Sequence, residues 1–239
     1  TVVFHSSCTT EKIPSRHFHS RESLELYEDS LWFGFQQSVS ANLRFTIYDL
    51  RLQNQFTTAE KSAIGNRQSA IFLTPPPEQA PNSSLVHMFE TIRQKLNLSE
   101  SVFTGEIADD KSWTLNFDRT RAHLSDNSKL KTQNSKLILG TAFSFVHLLD
   151  FLLEKNLKIQ LPENSIVMET GGYKNRSRSL PKEELHSLIE QFLGVPRENI
   201  ICEYGMSELS SQAYGLEVRS RKSEVRSFYF PPWAKVQII

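Results

Sequence analysis

Three short polar stretches carry residue types that could hold a phosphorylated ligand. The first, SSCTTEK, sets the hydroxyls of Ser6, Ser7, Thr9 and Thr10 ahead of the Lys12 ammonium. Hydroxyls and backbone N–H groups on a tight loop suit phosphate oxygens, and a lysine adds a point charge. GxxxxGK[ST] is absent, so this is not a Walker loop, and an ordinary Ser/Thr turn has the same composition. The second, METGGYKNRSR, joins Gly171 and Gly172 to Tyr173. Paired glycines let the backbone approach a flat ligand, and the tyrosine ring offers it a face. Lys174, Arg176 and Arg178 beyond them either steer an anion or form a solvated basic loop. The third is EYGMSELSSQ, in which Gly205 permits a turn that presents Tyr204 and Glu208. A carboxylate at a strand end can hold Mg²⁺ bridged to substrate phosphates; otherwise a lone loop glutamate is simply solvated.

The elements that must position these stretches follow from periodicity. Val2 to Phe4 is a short apolar strand entering the first loop, Ile166 to Met168 one that breaks at Gly171, and Ile200 to Cys202 one that runs into the third loop. Ile71 to Leu73 and Leu137 to Leu139 are further strand candidates. Leu24, Tyr27 and Leu31 recur at helical spacing over Ser20 to Phe35, with Ser20 as N-cap. Leu85, Met88, Phe89, Ile92 and Leu96 form the clearest amphipathic stripe. Ala142 to Leu153 is apolar almost all round and predicts a buried helix. Leu185, Leu188, Ile189 and Phe192 form another helix, with Pro181 in its first turn and Gly194 at its end. Thr104 to Ser135 reads as a surface loop region with short strands around Trp113 to Phe117. The repeated order of strand, polar or glycine loop, and helix predicts an α/β sheet flanked by helices, whose ligands collect at the strand ends.

Composition narrows the classes. With 239 residues the chain can bury a substantial core, and its 38% hydrophobic residues are ordinary for a globular domain. Basic and acidic residues balance at 27 each, so no nucleic-acid partner is indicated. Two cysteines, Cys8 and Cys202, exclude a disulfide scaffold and make a reducing, cytoplasmic compartment the expectation. No apolar run reaches the roughly 18 residues of a membrane span, and the opening residues do not read as a signal peptide. The chain starts without methionine and stops inside a strand-like pattern, which predicts a fragment cut at both ends.

Taken in order, the Ser/Thr-rich loop, the Gly-Gly loop and Tyr-Gly-Met-Ser-Glu resemble the adenylate-forming superfamily of acyl-CoA ligases, nonribosomal adenylation domains and luciferases. SSLVHM, ETGGYKNRSR, EYGMSELSSQAY and PPW are similar in particular to the LuxE-type acyl-protein synthetases, whose members read TGG, KGR, EYGMTELSSQ and PPW. The resemblance runs from about Phe4 to Trp233. It implies the large N-terminal-type core of that fold over residues 1–239, with mixed sheets flanked by helices and without the small mobile C-terminal subdomain. It implies ATP and Mg²⁺ as cofactors. Ser6, Ser7, Thr9, Thr10 and Lys12 would fall on the phosphate loop, with Lys12 counted as catalytic. Gly171, Gly172 and Tyr173 would form the adenine pocket beside Tyr204 and Gly205. Ser207 would lie near the α-phosphate and Glu208 would be the Mg²⁺ ligand, both catalytic. Thr141, Phe145 and His147 would face the acyl group, although Phe145 and His147 suit a core equally well.

The implied activity is ATP-dependent conversion of a fatty acid or other carboxylate to an acyl-adenylate, followed by transfer to a thiol. The acceptor would be a protein cysteine or a carrier, an acyl reductase among the candidates. An acyl-CoA ligase related to phenylacetate-CoA ligase is the alternative enzyme. A noncatalytic homologue that binds acyl groups or a partner is the alternative of another class. The family's phosphate loop reads TSGTTG, and Cys8 and Glu11 stand here where it has glycines. A carboxylate about 4 Å from a phosphate charge is repelled by roughly 4 kcal/mol at an effective dielectric near 20. Cys202, on a strand, is expected to be a buried thiol and not the acyl-accepting cysteine.

Overall fold

Strands whose residues are apolar at nearly every position must be covered on both faces, which is the signature of a parallel sheet between helix layers. The computed structural model describes residues 1–6, 14–42, 69–97, 100–125, 135–162, 164–172, 178–205, 211–220 and 223–234. β1 (Val2–His5) and β2 (Arg16–His19) form an antiparallel ribbon that leads into the long helix α1 (Arg21–Asn42). Next come β3 (Ser69–Phe72), α2 (Ser84–Leu96), β4 (Glu100–Phe103), the small hairpin of β5 (Gly105–Ile107) and β6 (Trp113–Leu115), and α3 (Phe117–Ser125). The chain continues through β7 (Lys136–Thr141), α4 (Ala142–Glu154), β8 (Ile166–Thr170), α5 (Lys182–Leu193), β9 (Ile200–Tyr204), β10 (Ala213–Ser220) and β11 (Ser223–Tyr229).

The main sheet has seven strands in the order β11-β10-β9-β8-β7-β3-β4. β9, β8, β7, β3 and β4 run parallel, while β10 and β11 add antiparallel at one edge. The fold is therefore α/β, with a mixed sheet flanked by helices. Alternation along each strand divides the core. Ile138, Val167 and Ile200 meet Phe145, Leu149, Leu185 and Ile189 of α4 and α5 on one face. Leu137, Leu139, Ile166, Met168 and Ile201 meet Leu31, Phe35, Phe89 and Ile92 of α1 and α2 on the other. No helix of the described residues is long and apolar enough to cross a membrane.

Local chemistry fixes the helix ends. Thr141 caps α4 by accepting from the Ser144 N–H at 3.0 Å, and Ser83 caps α2 by accepting from Val86 at 3.3 Å. Gly194, with φ of 67°, closes α5. Pro181 occupies the N-cap position of α5, one residue before the first turn where its ring was expected. The helix expected over Ser20 to Phe35 continues to Asn42, and Ser20 Oγ accepts from Ser23 N–H at 3.2 Å as a cap does. Thr104 to Ser135 is not only loop and short strand, because α3 lies inside it. Its sequence FDRTRAHLS buries just Thr120 and Leu124, too few apolar positions to make a helical stripe. β2, β10 and β11 also lack a readable apolar pattern.

Candidate functional site

β8 and β9 are parallel neighbours, and their register pairs Thr170 with Glu203. The next residue on each, Gly171 just past β8 and Tyr204 at the end of β9, therefore lies at the same level of the sheet edge. The second and third sequence loops leave the sheet side by side. Gly171 has a φ of 69°, and among the described residues nothing lies within 4 Å of where a side chain on Gly171 or Gly172 would start. Tyr204 is 45% exposed, and its ring meets Phe228 edge-on at 5.9 Å. An open glycine turn beside an exposed aromatic ring can receive a flat ligand.

Beneath this edge the strands end in carboxylates, and period-two alternation sends them to opposite faces. Glu169 and Cys202 face α5. Glu169 is fully buried, with Oε1 3.3 Å from Lys182 Nζ and 3.3 Å from His186 Nε2. Lys182 Nζ also hydrogen-bonds Cys202 Sγ and lies 5.8 Å from the centre of the Phe228 ring. Burial raises the Glu169 pKa, but the His186 hydrogen bond and the Lys182 charge outweigh it and hold the carboxyl below its usual range. Burial depresses Lys182 as well, yet Glu169 and Cys202 carry it above its ordinary value. Burial, then the Glu169 charge, pushes the Cys202 thiol up to about 12. The thiol is buried, as expected of a strand cysteine.

Thr170 and Glu203 face α1. Glu203 is 4% exposed, and the Thr170 hydroxyl donates to its Oε2. Around it stand Tyr27, Gln212 and Tyr214, with Gln212 Nε2 donating to the Tyr27 hydroxyl at 3.4 Å. Burial, helped by the Glu169 charge and opposed by Thr170 and Lys182, raises Glu203 to about 7. Burial and then Glu203 push both tyrosines above their usual range.

The first loop is tied to the same region through its stem. Phe4 packs against Tyr27 at 5.9 Å, and Tyr27 is the partner of Gln212 at the exit of the third loop. Ser6 accepts from the Ser15 N–H at 2.9 Å through its hydroxyl, which closes the base of the loop between them. The PPW motif reaches this corner as well: Trp233 Nε1 donates to Ser30 at 3.1 Å and Ser211 at 3.2 Å, and its ring meets Phe33 at 5.2 Å.

Of the residues singled out in the sequence, Gly171, Gly172, Tyr204 and Gly205 are therefore placed at one end of the main sheet, and Ser6 directly follows β1 of the separate β1–β2 ribbon. Ser7, Thr9, Thr10, Lys12, Tyr173, Ser207 and Glu208 lie outside the described residues. Among the described residues no group of three His, Cys, Asp or Glu side chains could hold a metal ion. Arg178 pairs with Asp150 at 2.7 Å. Thr141 caps α4, Phe145 is fully buried in the core, and His147 is half-buried against Phe143 at 4.2 Å. Glu169, Lys182, His186 and Glu203 went unread in the sequence as site residues, and Tyr27 was read only as part of a helical stripe. The signal was present in IVMET and IICEY, where each buried strand carries a carboxylate near its end.

No protein-family model matches the chain. No curated protein matches it either. Among solved structures, a PLP-bound protein from Clostridium difficile 630 assigned as an aminotransferase matches at 10% identity and a TM-score of 0.30, over 79% of this chain and 49% of that one. The chain thus spans about half the length of that protein, and so low a TM-score carries no argument about function.

Proposed function

We propose that the protein is an adenylate-forming enzyme of the LuxE type, which activates a carboxylate with ATP and passes the acyl group to a thiol. The observation that carries this reading is the juxtaposition of the Gly171–Gly172 turn and Tyr204, the first residue of YGMSE, at the ends of adjacent parallel strands. The open glycine turn and the exposed ring suit adenine. The hydroxyls of Ser6, Ser7, Thr9 and Thr10 and the charge of Lys12 suit the phosphates. Glu208 would hold Mg²⁺, which offsets charge on the phosphates, and Ser207 would donate to the α-phosphate as charge grows there. The carboxylate substrate attacks the α-phosphorus, pyrophosphate leaves, and the acceptor thiolate then displaces AMP. The second reading, a noncatalytic homologue, is favoured by Cys8 and Glu11 in the first loop. The test is carboxylate-dependent exchange of labelled pyrophosphate into ATP. Exchange that is lost in Glu208→Gln with folding intact supports the enzyme. Exchange absent from the wild-type protein, or unimpaired in the variant, removes the mechanism.

A further inference from the structure

We propose that Glu203, as the neutral acid, is a positioning residue that holds Tyr204 and Gly205 in their ligand-binding arrangement. This deepens the nucleotide-site reading and rests on it. Gly205 lies directly on the Glu203 carboxyl group: a side chain there would start 2.5 Å from Glu203 Oε1 and 3.4 Å from Gln212 Cγ. The entrance of the third loop therefore rests on the carboxyl group, and Gln212, at its exit, packs against Gly205. Among the described residues the groups facing the carboxyl are uncharged: Thr170 from β8, Tyr214 from β10, Gln212 just before it, and Tyr27 from α1. Glu28, His19 and His87 stand behind Tyr27, with Glu28 paired to His87 at 2.9 Å. Glu169 and Lys182 act from the opposite face of the sheet.

The surroundings of the carboxyl group indicate which form of Glu203 the site is built for. Glu203 is buried, and among the described residues no cation stands on its own face of the sheet; Lys182 acts from the other face. A carboxylate there is a buried charge without a counter-charge, a cost that the neutral acid avoids while it still accepts from Thr170. Ionisation therefore calls for water around Oε1, and the backbone lying on that oxygen is Gly205. Moving Gly205 moves Tyr204, the exposed ring of the site. The carboxyl acts through these two residues and does not itself meet ligand.

The experiment compares wild type with Glu203→Gln, which keeps the shape and stays neutral. Calorimetric titration with ATP and Mg²⁺ from about pH 6 to pH 8 should show the wild-type dissociation constant rising about fivefold between pH 7 and pH 8 relative to the variant, as the neutral fraction falls. Thr170→Val, which removes the hydrogen bond that favours the charged form, should move that midpoint to higher pH. Hydrogen exchange at the Tyr204, Gly205 and Gln212 amides, corrected for intrinsic rates, reads the same positioning without nucleotide. It should accelerate above neutral pH in the wild type and not in Glu203→Gln. Identical pH profiles for the two proteins in both measurements overturn the proposal. Pronounced pH-dependent exchange with no ATP binding in either protein sinks the nucleotide reading and leaves the positioning role of Glu203 standing.

Discussion

Glu203→Gln should stabilise the protein, by an amount that grows with pH. In the unfolded chain this glutamate ionises around its ordinary value of 4.5, whereas burial holds it protonated up to about 7 in the fold. Between those values the folded state keeps a proton that the unfolded state has released, so stability falls as pH rises across that window. The gap, at about 1.4 kcal/mol for each tenfold, amounts to about 3 kcal/mol by pH 8 and to a few tenths near pH 4.5. Glutamine carries no such penalty, and its carbonyl still accepts from Thr170. Urea denaturation followed by the fluorescence of the three tryptophans, at pH 4.5 and pH 8, measures the difference directly. Expected is a midpoint nearly equal to wild type at the lower pH and clearly higher at the upper. A stability difference independent of pH, or one favouring wild type at pH 8, refutes the argument that this carboxyl is buried without a counter-charge.

The neighbouring glutamate should behave in the opposite sense. Glu169 is held below its ordinary value of 4.5, so its contribution is present above 4.5 and is lost as pH falls through the lowered value. Glu169→Gln should cost about 2 kcal/mol at neutral pH, the scale of charge-assisted hydrogen bonds to Lys182 and His186, and the deficit should shrink in acid by the same urea assay. Cys202, with its thiol pushed up to about 12, presents about one thiolate in ten thousand at pH 8. Iodoacetamide should leave the Cys202 peptide unmodified in the native protein and alkylate it fully after unfolding, as read by peptide mass mapping.

The sheet flanked by helices was legible because its physics is visible residue by residue. ILIL-type runs in β7 and β8 need cover on both faces, and Ala142 to Leu153 supplies a helix that is apolar almost all round. The amphipathic stripe of α2 and the glycine after α5 were readable for the same reason. What escaped was structure whose pattern depends on neighbours. α3 buries two side chains, and β2 alternates exposed and covered positions without an apolar rhythm. The β10–β11 hairpin is an edge addition whose partner, β9, could not be inferred from its own residues.

The candidate site was legible as a set of loops but not as chemistry beneath them, and the reason lies in strand geometry. Glu169 and Thr170 are adjacent in sequence, as are Cys202 and Glu203, yet each pair is split across the sheet by the two-residue period. A linear reading merges them into two loop entrances; the fold sorts them into two clusters that share a strand end and differ in one respect. On the α5 face a lysine reaches the buried carboxyl, so Glu169 keeps its charge and anchors Lys182, which is still 49% exposed. On the α1 face the neighbours are a threonine, a glutamine and two tyrosines, so the cheaper state for Glu203 is the protonated one. The same residue type thus acts as a fixed anion under one side of the strand ends and as a titrating acid under the other. Which it becomes is decided by whether the covering helix places a lysine or a tyrosine over it.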